Sequence, residues 1–92
     1  MRILGEIAHP AYKITVFKHD QRVLLKIEHG LLEQTYKFRE SDDINKIEHV
    51  SPLLTEAFLE SVTDTFRTMH GAISESLTRY FQEQDEDFPT II

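Results

Sequence analysis

Histidine is the residue type in this chain best suited to metal or acid–base chemistry, and it occurs five times, at positions 9, 19, 29, 49 and 70. A zinc site needs three or four converging ligands. His9 and His29 fall near one end of the strand arrangement derived below and His19 near the other, so only His49 or Glu48 could join the first two. No His-Glu-x-x-His or comparable helical spacing is present, and polar residues at strand ends and turns account for the five equally well. No metal and no cofactor is expected.

Nucleophilic catalysis would need an activated serine, threonine or cysteine beside an oriented base. The chain has no cysteine and no Gly-x-Ser-x-Gly elbow. Ser51 reads as a helix cap, while Ser74 and Ser76 fall within a helix. Paired carboxylates occur at Asp42-Asp43 and at Glu83, Asp85, Glu86 and Asp87. Acid–base work needs carboxylates held in a cleft in different environments, and these lie in a loop and a terminal run. The glycines, at 5, 30 and 71, are too scattered for a phosphate-binding loop. The sequence therefore leans away from an enzyme, and no catalytic residue is assigned.

Composition narrows the classes further. A chain of 92 residues is one domain's worth. Without cysteine it has no disulfide to support a thin core, and a subunit interface is the usual substitute. The net charge of −6 opposes a phosphate backbone, and Lys26, Lys37 and Arg39 are offset by Glu28, Glu33 and Glu40, so nucleic-acid binding is not expected. No apolar run approaches the ~20 residues that span a bilayer, and the N-terminal segment lacks a signal peptide's apolar stretch. No membrane association and a cytoplasmic location follow as expectations.

The elements that must position these residues are an α+β arrangement. Tyr12, Ile14 and Val16 alternate with Lys13, Thr15 and Phe17. Val23, Leu25 and Ile27 alternate with Leu24, Lys26 and Glu28, and Leu32, Tyr36 and Phe38 with Glu33, Thr35, Lys37 and Arg39. A period of two with one charged face predicts an antiparallel sheet covered on one side. Asp20-Gln21 and Gly30-Leu31 are two-residue loops, the second suited to a type II′ turn. The first loop pairs Val16 with Leu25 and Ile14 with Ile27. A three-stranded meander over about 11–39 results, with residues 2–8, Ile3, Gly5 and Ile7 on one parity, as a fourth extended segment. Residues 40–50 fit either a helical turn or an extended piece. From Ser51-Pro52 to about residue 84, apolar residues recur at helical spacing through Leu54, Phe58, Val62, Phe66, Met69, Ile73, Leu77 and Phe81. Gly71 is the one place where this helix would kink or break. Residues 85–92 read as a flexible or partner-docking tail of a single domain.

Such a helix would be about 50 Å long, against about 27 Å for an eight-residue strand. The sheet can cover only its first half, yet the stripe continues through Ile73, Leu77, Tyr80 and Phe81. Either the chain folds back at Gly71 or the distal half packs on a second copy. The second is favoured, because a hairpin would need more turn residues than one glycine supplies. The expected protein is a non-enzymatic interaction or regulatory homodimer, with those four residues as its interface. Phe17 and Leu24, opposite each other on the charged sheet face, form a candidate contact patch for a further protein partner. The alternative is a small-ligand-binding protein or weak enzyme with Tyr12, His29 and Tyr36 at the rim of a pocket between sheet and helix.

Overall fold

The computed structural model describes residues 1–83, so the segment 85–92 lies outside the described residues. Four strands, β1 (Arg2–Ile7), β2 (Lys13–His19), β3 (Arg22–His29) and β4 (Leu32–Arg39), form one antiparallel sheet in sequential order. A short helix α1 (Ile47–Val50), a 3-10 turn (Ser51–Leu53) and a long helix α2 (Glu56–Glu83) follow.

The register of the central hairpin is the one the alternation dictates: Val16 faces Leu25, Ile14 faces Ile27 and Phe17 faces Leu24. Both residues of the β2–β3 loop are left-handed, Asp20 at φ 55° and Gln21 at φ 61°. That is the type I′ signature, achieved without glycine. In the β3–β4 loop only Gly30 has a positive φ, at 60°, as a type II′ turn requires.

β1 departs from the expected parity. A bulge between Ile3 and Gly5 interrupts its pairing with β2. Gly5 and Ile7 lie beside Val16 and Ile14 on the covered face, while Ile3 pairs with Phe17 on the open one. The extra residue, Leu4, packs against the core. Gly5 sits at φ 153°, and a Cβ there would come within 2.7 Å of Ile47 Cδ1, so the bulge lets α1 close down on the sheet edge.

Residues 40–55 resolve into capped turns. Ser41 Oγ accepts hydrogen bonds from the backbone N–H groups of Asp43 and Ile44. Ile47 and Val50 then turn inward, Val50 being fully buried. Pro52 enters the 3-10 turn, and the long helix starts four residues later than the Ser51-Pro52 signal suggests. Its cap is Thr55, whose Oγ1 accepts the Phe58 N–H at 3.1 Å.

The core comprises Ile14, Val16, Val23, Leu25 and Ile27 from the sheet, Val50, and Val62 and Phe66 from α2. α2 runs antiparallel to β4. Phe58 meets Tyr36 edge to face at 5.4 Å, the Gln34 side-chain amide donates to the Val62 carbonyl, and Phe66 reaches the rings of Tyr12 and His29. Gln34 occupies an inward strand position and is buried. Its carbonyl oxygen accepts from the Tyr36 hydroxyl, so both ends of the amide are satisfied. Beyond Phe66 the helix continues unbroken through Gly71 for about 25 Å at ~1.5 Å per residue. The radius of gyration, 16.9 Å, exceeds the about 12 Å of a compact chain this long. No fold-back occurs at Gly71.

Candidate functional site

The sheet ends beside α2 in an aromatic cluster. Tyr12 stacks on His9 with ring centroids 4.9 Å apart, and meets His29 edge-on at 5.6 Å. The β2–β3 register, extended by one residue past Lys13–Glu28, places Tyr12 opposite His29. Phe66 closes the cluster from the helix, 5.5 Å from Tyr12 and 5.9 Å from His29. The Tyr12 hydroxyl bonds Thr63 Oγ1, and that hydroxyl donates in turn to the Leu59 carbonyl at 3.1 Å.

Past this cluster lies an open groove of about 690 Å³. Tyr12, His29 and the β3–β4 turn, including Leu31, form its sheet side. Phe66, His70, Ile73 and Leu77 are among the α2 residues that form the other. Leu31 is 93% exposed and Ile73 48%, which is unusual for residues of this size beside an apolar concavity. Among the described residues no buried side-chain nitrogen or oxygen lacks a partner. The groove lining is mostly hydrocarbon and ring, with Thr63, Arg67, His70 and Ser74 as its polar side chains besides the Tyr12 hydroxyl and His29.

The structure brings together residues expected at two separate sites. Tyr12 and His29, expected at a pocket rim, line the same groove as Ile73 and Leu77, expected at a dimer interface. Tyr36 does not join them: it lies further along β4, under Phe58. Tyr80 and Phe81 sit beyond the groove on the projecting helix, their rings 5.2 Å apart. Phe17 and Leu24 lie on the opposite sheet face, where Leu24 is only 8% exposed. Ile3 continues their row through its pairing with Phe17.

Two of the histidines serve local structure. His9 Nδ1 accepts the backbone N–H groups of Ala11 and Tyr12, and His49 Nδ1 accepts that of Asn45. Those lone pairs are occupied, and among the described residues no three His, Cys, Asp or Glu side chains gather in a way that could hold a metal ion. On the open face Lys26 lies 3.7 Å from Glu28 and 4.0 Å from Glu33. Among the described residues no helix is long and apolar enough to cross a membrane.

Two contributors to the groove, Leu31 and Phe66, carry no functional signal in the sequence. Leu31 reads as a turn residue and Phe66 as one member of a long stripe. The usable hint was a large aliphatic side chain in a two-residue turn, where small polar residues are usual. Comparison with known proteins finds no matching family model, no matching curated protein and no matching solved structure.

Proposed function

We propose that this chain is a non-enzymatic interaction or regulatory protein of the cytoplasm that acts as a homodimer, joined through the distal half of α2. One observation carries the reading: the helix projects past the end of its own sheet while its apolar stripe continues. Ile73, Leu77, Tyr80 and Phe81 extend that stripe, and Leu31 lies beside it at the sheet end. Full burial of one such side chain is worth about 1.5–3 kcal/mol. A second copy is the covering surface always present with the first, and closed two-fold pairs are the commonest assembly.

Light scattering coupled to size exclusion, over a dilution series, tests this directly. A mass near twice that of one chain, persisting on dilution, is the expected result. Leu77→Asp would set a carboxylate into the apolar stripe twice per dimer, and a dimer joined there should become a monomer. Unchanged mass in this variant at low micromolar concentration would refute the assignment.

The groove itself favours a second reading, a small apolar ligand held between Tyr12, His29 and α2. Its volume lies in the range of ligand sites. It predicts a monomer in the same dilution series, with aromatic probes shifting the Tyr12 and His29 resonances.

A further inference from the structure

Resting on that homodimer, the arrangement of its two helices can be read from α2. Met69, His70, Ile73, Leu77, Tyr80 and Phe81 occupy positions symmetric about residue 75: 69 with 81, 70 with 80, and 73 with 77. Small residues, Ser74 and Ser76, flank the centre in the same way. At ~3.6 residues per turn the six fall within about 60° of one line along the helix. A surface that reads alike in both directions is what a two-fold axis perpendicular to the helix demands, because each contact must be made twice with the roles exchanged.

We propose that two copies pair with their distal helices antiparallel, crossing at residue 75. Ile73 and Leu77 of both chains then form the centre. Met69 and His70 of each copy meet the Tyr80 and Phe81 end of the other. In this crossing Glu83, the last described residue of α2, falls level with Arg67 of the second copy, one residue past the last buried side chain, Phe66. Each helix tip therefore arrives at the other copy's sheet end, beside its groove and Leu31. The tip carries a carboxylate and the margin it reaches carries the Arg67 guanidinium. A parallel pair would set both sheets at one end and keep Glu83 of each copy away from Arg67 of the other.

The pairing covers the most exposed large apolar side chains at this end of the molecule: Leu31 at 93%, Tyr80 at 55% and Ile73 at 48%.

Spin-label distances test the crossing. The chain has no cysteine, so Thr68→Cys, Glu75→Cys and Gln82→Cys each carry one label. The three positions are exposed and share one azimuth on the back of α2, so they leave the apolar stripe intact. In an antiparallel pair centred at 75, the labels at 68 and at 82 are offset along the axis by about 21 Å and those at 75 by nothing. The expected result is equal distances at 68 and 82, both longer than at 75. Equal distances at all three positions would mean a parallel pair, and the shortest distance at 68 or 82 a different crossing. Either overturns this arrangement while the homodimer stands. No dipolar coupling, together with a single-chain mass at labelling concentrations, overturns the homodimer as well.

Discussion

Replacing Gly71 with alanine tests the unbroken helix on which the interface depends. Gly71 lies inside α2, it is exposed, and a Cβ built on it meets nothing within 4 Å. Alanine therefore fits without displacing a neighbour. Glycine in a helix interior is about 0.8–1.0 kcal/mol worse than alanine, because it loses more backbone freedom on folding. Gly71→Ala should stabilise the protein by about that amount, raising the melting temperature by about 4–8 °C per kcal/mol for a chain of this size. Gly71→Pro should act in reverse, costing about 3 kcal/mol through a lost helical hydrogen bond and a clash with the Arg67 carbonyl. Circular dichroism at 222 nm during thermal unfolding, at one fixed protein concentration, reads both. A left-handed turn at Gly71 would instead make alanine harmful as well as proline, because neither takes a positive φ without strain. A flat response to both would place residues 67–83 outside the cooperative unit and remove the basis for a shared helix.

Gly5→Ala should destabilise by about 1–3 kcal/mol in urea unfolding, because φ 153° is strained for any residue with a Cβ and that Cβ would press on Ile47; an unchanged midpoint would mean that the bulge does not hold. Thr55→Ala should cost about 1 kcal/mol by leaving the Phe58 N–H uncapped, while Thr55→Ser retains most of the stability. Gln21→Gly should stabilise by about 0.5–1 kcal/mol: it relieves about 1–2 kcal/mol of left-handed strain and gives back part of that through a more flexible unfolded chain. In that variant the urea midpoint should rise with no change in slope.

The meander was legible because a sheet covered on one side writes its register into the alternation of residue types. Val16 with Leu25 and Ile14 with Ile27 follow from the two-residue loop alone. β1 was less legible, since one inserted residue reverses the parity of everything before it, and Leu4 does not differ in kind from its neighbours. The segment around Ile47 could not be decided locally. Its four-residue helix is too short to be stable alone and is held by contact with Gly5 and by the burial of Val50. The start of α2 was displaced because serine followed by proline also suits a 3-10 turn, which postpones the cap to Thr55. In the site, the Tyr12–His29 pairing follows from the strand register. Where α2 crosses the sheet end does not, so Phe66 and Leu31 emerge only in three dimensions, and Tyr36 belongs to the Phe58 contact.

Among the described residues, every buried hydrophobic side chain precedes residue 67. Among the described residues, the remaining seventeen of α2 contribute only partly buried side chains, such as Met69 and Leu77, to contacts with the sheet end. Ordering a residue's backbone costs about 1–2 kcal/mol, and a helix of this length is marginal in water without tertiary packing. The exposed ion pairs Asp64–Arg67 and Glu75–Arg79 return only about 0.3–0.5 kcal/mol each. The groove wall supports Ile73 and Leu77 on one side and leaves Tyr80 more than half exposed. Covering the rest of the stripe would make folding of the distal helix and pairing of two copies a single equilibrium, with helicity tracking protein concentration. Pairing along α2 would also leave the open sheet face clear. There Ile3, Phe17 and Leu24 form an apolar row between charged strands, on the side of each subunit away from the helices.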